Sequence, residues 1–268
     1  MSNAGPDTRA DPASAPPSAA RPGHQPGREY FDVMADSAES HWWYRARRAL
    51  FTELLEGVVP AGGTAIDVGC GTGETLTVLR TLGATRAAGT DLSADALASA
   101  ATHGERAVTR ALAEQLPFPD SCADVLVSAD VLEHLDSDRV ALEEYRRVLR
   151  PGGALLVTVP SYQWLWCHLD DRAGHRRRYR LGQLCDAVTG SGFEISRRSH
   201  YFSFLVPPAA LLRKTPLGRL SPPTDEDASD GALVSGALMA LSAAERRILR
   251  HRTIPVGLSQ FVLATRRS

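Results

Sequence analysis

Three glycines at alternate positions, Gly69, Gly71 and Gly73, follow closely on the acid Asp67. The residues ahead of them, Thr64, Ala65 and Ile66, with Val68 beyond the acid, read as the end of a buried strand. Glycines placed there make a tight turn and admit a ligand to the backbone without interference from a Cβ. Glu74 to Arg80 then has helical spacing, so the loop feeds a helix N-terminus. The chemistry predicted is that of a nucleotide-type binding loop. A second acid, Asp91, closes the next short strand, and a carboxylate at a strand end can accept both hydroxyls of a ribose. Its plainer role would be that of a turn acid before the N-cap Ser93.

The glycine spacing narrows the choice of nucleotide. A dinucleotide loop would read GxGxxG, whereas here the third glycine comes one residue early. That spacing argues against a nicotinamide-dependent reductase. A phosphate-binding P-loop is excluded because no GK[ST] follows the glycines.

Proton chemistry points to His134, in the pair Glu133–His134, and to His175, which Asp170 or Asp171 could orient. Loop capping is the bland alternative for His134. Arg176, Arg177, Arg178 and Arg180 form the basic cluster of the chain. They could grip an anionic acceptor, or pair with the acids around them on a solvated face. Trp164 and Trp166, with the apolar run Phe202 to Leu212, suggest an apolar acceptor pocket or, more plainly, core packing.

Positioning these residues requires alternating strands and helices. Strands are predicted over 86–91, 107–111, 122–128 and 154–159, with a helix over 94–101 capped by Ser93. A helix over 143–149 stops at a turn, Arg150-Pro151-Gly152-Gly153. The pattern predicts an α/β fold with right-handed crossovers, a Rossmann-like, doubly wound, mostly parallel seven-stranded sheet with helices on both faces. Ligands of such sheets bind beyond the carboxyl ends of the strands, where every polar feature named above falls. A helix over 181–188, a strand from 192, an amphipathic helix over 233–249 and a last strand over 258–264 complete the chain. Residues 217–231 read as loop.

Residues 1–28 are dense in Pro, Ala, Gly and Ser and read as a flexible tail. One domain is expected over 29–268: an N-terminal helical lid over 29–60, a binding core over 61–160 and an acceptor-binding half over 161–268. The 268 residues are 43% hydrophobic and 23% charged, as in an ordinary globular protein. The net charge of −1 gives no reason to expect a nucleic-acid partner. No apolar run approaches the roughly 18 residues that cross a bilayer. The four cysteines form no CxxC pair, so no metal site is expected from them and a cytoplasmic location is the default.

Five ordered segments together resemble a known family: 66–73 with Asp67 and the glycines, Asp91, 113–118, 131–135 and 149–153. They are similar to those of the class I S-adenosylmethionine-dependent methyltransferases, with the ubiquinone/menaquinone C-methylase type the nearest in appearance. The resemblance covers roughly Tyr30 to Pro160, and more loosely the rest, where the Asp170 to Tyr179 segment, like the His41-Trp42-Trp43-Tyr44 lead-in, has the look of this type. It implies S-adenosylmethionine as cofactor and methyl transfer to a small-molecule acceptor, or, as the alternative, a binding module that keeps the cofactor site without turnover. It implies further that the glycine loop passes the methionine portion and ribose, that Asp91 with Leu92 holds the ribose, and that Ala113 and Glu114 lie at the adenine. Ala129 and Asp130 would line the methionine side, with Trp43 and Arg47 or Arg48 closing the site from the N-terminal helix.

Overall fold

The structure, a computed structural model, describes residues 27–214 and 231–268. The tail expected over 1–28 falls almost wholly outside these residues, as does the loop expected over 217–231.

Seven strands form one sheet in the order β3-β2-β1-β4-β5-β7-β6. They are β1 (Thr64–Val68), β2 (Arg86–Asp91), β3 (Val108–Arg110), β4 (Ala123–Ala129), β5 (Leu149–Pro160), β6 (Phe193–Tyr201) and β7 (Ser259–Arg266). β1 runs parallel to β2 and β4, β2 to β3, and β4 to β5; β7 is antiparallel to both β5 and β6. The strand order therefore reverses direction at β1 and β4. The crevice beyond their carboxyl ends is where a ligand of this architecture binds.

The residue alternation explains the layers. Successive side chains of a strand face opposite sides, so a sheet covered on both faces needs apolar residues at both parities. Ile66, Val68, Leu126, Leu155, Val157, Val262 and Ala264 join one core. Their neighbours Ala65, Val125, Val127, Leu156, Phe261 and Leu263 join the other. The first face is covered by α5 (Asp138–Val148), through Leu142, Tyr145 and Val148, and by α7 (Leu181–Gly190), through Leu184 and Val188. The second is covered by α2 (Trp42–Leu55) and α3 (Glu74–Thr81), with α9 (Ala232–Leu249) packed beside α2. Along α2 the buried Trp42, Ala46, Leu50 and Leu54 recur every four residues, which places them on one stripe.

The helix α1 (Arg28–Ser37) buries no residue fully and lies against α4 (Ala94–Thr102). Arg28 donates to the Thr102 hydroxyl at 2.8 Å, and the His103 ring meets Asp36 at 3.3 Å. After β5 come α6 (His168–Ala173) and, past β6, α8 (Val206–Lys214), with Pro207 and Pro208 in its first turn, where missing amide donors cost little.

The turn expected at 150–153 is the main difference from the sequence reading. β5 already starts at Leu149, which pairs with Ala123, and the ladder slips in register before resuming at Val125–Ala154. The glycine pair serves as an irregularity within a long strand rather than as a terminus. Gly152, at φ +79°, supplies the bend.

Candidate functional site

The glycine loop is folded back over the ends of β1 and β2. The Gly69 and Cys70 amides both donate to the Thr90 carbonyl, at 2.7 and 2.9 Å. The Gly71 amide donates to Asp91 Oδ2 at 2.9 Å, and the Ser93 amide to Asp91 Oδ1 at 2.8 Å. Asp91 therefore ties the loop to the start of α4 while remaining partly exposed. Ser93 caps α4, its hydroxyl accepting from the Ala96 amide at 3.2 Å.

Two of the glycines are required for different reasons. A Cβ on Gly69 would stand 2.3 Å from Val131 Cγ2, so the close approach of the β4 loop forbids one. A Cβ on Gly71 would meet nothing within 4 Å among the described residues, although its φ of +52° favours glycine. Gly71 thus presents its backbone to open space.

Asp67 lies beneath this loop, buried, and its Oδ2 has no hydrogen-bond partner among the described residues. Burial raises its carboxyl to about 8 against the opposing pull of Arg47, with Asp91 adding to the rise. Arg47, on α2, reaches Asp130 Oδ2 at 3.4 Å. Burial works against the Arg47 charge, but Asp130 and Glu74 together hold it firmly protonated. Asp130 is fixed from its other oxygen by the Thr158 hydroxyl at 3.2 Å, and its backbone stands at φ +58°. Arg48 turns away, to Glu39 at 2.7 Å and to the Ala38 carbonyl at 2.9 Å. The ring of Trp43 packs on Phe202 at 4.3 Å. Of the N-terminal candidates, Arg47 is the one joined to Asp130.

The loop after β3 comes to the same end of the sheet. Ala111 donates to the Asp91 carbonyl at 3.1 Å, and a tight turn follows in which Leu112 bridges Gln115. Ala113 is buried, Glu114 half-buried and Leu92 exposed. The turn is fixed from behind by Glu144, which accepts from the Leu116 amide at 2.7 Å and from Arg147 Nε at 2.7 Å. Ala129 is the last residue of β4, half-buried beside Asp130.

A second group of side chains gathers past the end of β4, on the turn 132–134 and the 170–178 segment. The His134 and His175 rings stand edge to face, with centroids 4.8 Å apart. His175 Nδ1 donates to Asp170 Oδ1 at 2.8 Å, and its Nε2 faces Glu133 at 4.0 Å. Asp170 is buried and receives Arg178 through Nε at 2.7 Å and Nη2 at 3.0 Å, together with the Cys167 amide at 2.8 Å. Burial would raise the Asp170 carboxyl, but these donors outweigh it and hold it ionised. His134 is driven down to about 4 by burial first and by His175 second, so it is neutral. Glu133 is fully buried, and neither carboxylate oxygen has a hydrogen-bond partner among the described residues.

The basic cluster is occupied by the protein's own groups. Arg176 pairs with Asp136 and donates to the His134 carbonyl at 2.8 Å; Arg177 donates to the carbonyls of Leu135 and Asp136. Glu133 and Asp170 are the residues whose importance the sequence understated. The segment Val131 to Leu135 stood out as a motif, yet it carried no sign that Glu133 would be the buried member.

Residues 66–157 match the sequence profile of a family described as "Methyltransferase domain". Residues 66–157, about a third of the chain, are thus similar to a methyltransferase domain. Among curated proteins, a probable S-adenosylmethionine-dependent methyltransferase of Mycolicibacterium smegmatis is 31% identical over 59% of this chain and 62% of its own length. The 27-O-demethylrifamycin SV methyltransferase of Amycolatopsis mediterranei is 34% identical over 41% of this chain and 45% of its own. The chain thus spans less than two thirds of either relative. An S-adenosylmethionine-dependent methyltransferase structure from Mesorhizobium loti superposes with a TM-score of 0.56, covering 85% of this chain and 99% of that one at 17% identity. It shares the methyltransferase fold. The fold expected from the strand pattern is the fold found, and no helix among the described residues is long and apolar enough to cross a membrane.

Proposed function

We propose that the protein transfers a methyl group from S-adenosylmethionine to a small-molecule acceptor. The observation that carries this reading is the Asp91 carboxylate, which clamps the Gly71 and Ser93 amides, one on each oxygen, and retains acceptor capacity on both. The unpartnered Asp67 oxygen and the bare Gly71 backbone fit a ligand that brings both hydroxyl and cationic donors. In this assignment the ribose hydroxyls lie on Asp91 beside Leu92, and the base lies along Ala113 and Glu114. The methionine portion passes Gly69, Gly71 and Gly73 toward Asp67, Ala129 and Asp130, under Arg47. Trp43 backs this lid through Phe202.

The cofactor supplies a methyl on a positively charged sulfur, which an acceptor atom displaces in line. The chain's own part is alignment, and holding two reactants in attack geometry can contribute several kcal/mol, on the order of 7 or more in well-oriented systems. An acceptor that must lose a proton would lose it at the Glu133–His134–His175 cluster, with Asp170 holding His175 in one orientation.

The pairing of Arg176 with Asp136 and of Arg178 with Asp170 supports an acceptor held by shape and aromatic contact. Trp164, stacked on Tyr162 at 5.9 Å and half exposed, borders that side. These placements support a division into a lid over 29–60, a cofactor core over 61–160 and an acceptor half over 161–268. The motif segments support a position near the ubiquinone/menaquinone C-methylases, and four unpaired cysteines support a cytoplasmic location.

The test is transfer of labelled methyl from S-adenosylmethionine across a panel of phenols, hydroquinones, sugar hydroxyls and amines. The expected result is single methylation of one acceptor class. Cofactor binding without transfer to any class would contradict the reading.

A further inference from the structure

Glu133 poses a problem that the methyl-donor site does not solve. It is a carboxyl group with no exposed surface, and neither oxygen is hydrogen-bonded within the described residues. A buried polar group in that condition calls for a partner that the side chains around it do not provide. The groups facing it are the two imidazoles: one ligand atom from each of Glu133, His134 and His175 lies within 4.8 Å of the others.

Both imidazoles are held in the manner of metal ligands. His175 donates a hydrogen bond from Nδ1 to the buried Asp170, which leaves Nε2, the nitrogen 4.0 Å from Glu133, with its lone pair free for a ligand. The His134 ring is engaged by the Gly174 backbone, which fixes its orientation as well. A ligating histidine whose other nitrogen is tied to a carboxylate or a backbone carbonyl is the usual outer-shell arrangement of a metal site. Asp170 is itself anchored by Arg178, and Arg178 has only 7% of its side chain exposed, so the outer shell is rigid.

We propose that Glu133, His134 and His175 bind a divalent transition-metal ion of the zinc or manganese kind. Two imidazoles and one carboxylate form a donor set that such ions favour, and three protein ligands leave coordination positions open. Glu133 and His134 sit on the turn that follows Val131, the residue pressed against Gly69, and His175 meets them from the 170–178 segment, so the site borders the methyl-donor loop. Resting on the methyl-transfer reading, the inference names the acceptor chemistry as a hydroxyl. The ion would bind the acceptor oxygen, whose proton passes to solvent. The oxygen–methyl bond forms as the sulfur–methyl bond breaks, and the sulfonium becomes a neutral thioether in S-adenosylhomocysteine.

The full chain, stripped with chelator, should be titrated with zinc chloride and with manganese chloride by equilibrium dialysis, without cofactor or acceptor. The expected result is one ion per chain, bound at least tenfold more weakly by both Glu133→Gln and His134→Ala. Asp170→Asn should weaken binding by about 10- to 100-fold while leaving the stoichiometry unchanged. Circular dichroism identifies any variant that fails to fold, and the remaining variants then carry the test. No stoichiometric binding by the wild type, or binding that survives every substitution, would overturn the proposal. Binding of S-adenosylhomocysteine, measured on the same preparations, separates the two readings. A wild type that binds it but takes up no ion loses the metal site and keeps the methyl-donor site.

Discussion

The Asp91 carboxylate and the Gly71 amide, twenty residues apart in the chain, meet in a hydrogen bond of 2.9 Å. That contact converts two sequence features into one surface: the acid ending β2 holds the glycine loop in the shape that exposes its backbone. The glycines on either side of Cys70 should therefore respond differently to a methyl group. Gly69→Ala drives a Cβ into Val131 and should lower the unfolding midpoint by several degrees. Gly71→Ala meets only the left-handed backbone penalty, about 1–2 kcal/mol, and should stay folded yet bind the cofactor poorly. Thermal unfolding beside calorimetric titration distinguishes the two.

Asp67 gives a pH signature. Its carboxyl is near 3.8 in an unfolded chain and is raised to about 8 here, so the folded state binds this proton more tightly. The contribution of this group to stability is fully present below about pH 4 and is lost as pH rises through about 8. Stability curves of the wild type and Asp67→Asn should converge at acid pH and separate as pH rises. A cationic ligand that settles beside Asp67 should also expel the proton. Binding enthalpies at pH 7 should then vary with the ionisation heat of the buffer, and Asp67→Asn should remove that dependence.

Asp170 is the hub of the post-β5 segment. Asp170→Ala would leave Arg178 buried without its partner, at a cost of about 3–5 kcal/mol in denaturant unfolding. The double variant Asp170→Ala/Arg178→Met should recover a large part of that loss, because both charges then leave together.

Glu245, on α9, makes a separate structural prediction. It is buried and accepts from the Phe202 amide at 2.6 Å and the Ser203 amide at 2.7 Å, which fixes the bend between β6 and α8. Glu245→Ala should cost about 1–3 kcal/mol by stranding those donors.

The cofactor side of the site was legible because it is local. Asp67 and Asp91 stand at the ends of β1 and β2 and the glycines follow β1, so short apolar runs announce them, and parallel topology then brings the ends together. β2 was delimited to the residue for this reason. The Glu133–His134–His175 cluster was legible only in pieces. His175 is forty-one residues beyond His134, and nothing in either segment says that they face each other. The burial of Glu133 depends on the 170–178 segment folding over it, a tertiary effect without a periodic trace. The arginines read as a cluster, and Asp170 is a near neighbour in the chain, yet Asp136 and the carbonyls of 134–136 are some forty residues away. The extended β5 was missed because Pro151 and the two following glycines carry turn chemistry, which a strand accommodates at an irregular register.

Titration of S-adenosylhomocysteine into the wild type and into Asp91→Ala, by calorimetry at one ionic strength, tests the central claim most directly. The wild type should bind one equivalent. Asp91→Ala, folded by circular dichroism, should bind at least tenfold more weakly, because removing the carboxylate frees the loop amides and withdraws the acceptor for ligand hydroxyls; hydrogen bonds to a charged group contribute about 1.5–3 kcal/mol each. Equal affinity in a folded Asp91→Ala variant, or no binding by the wild type, would contradict the account.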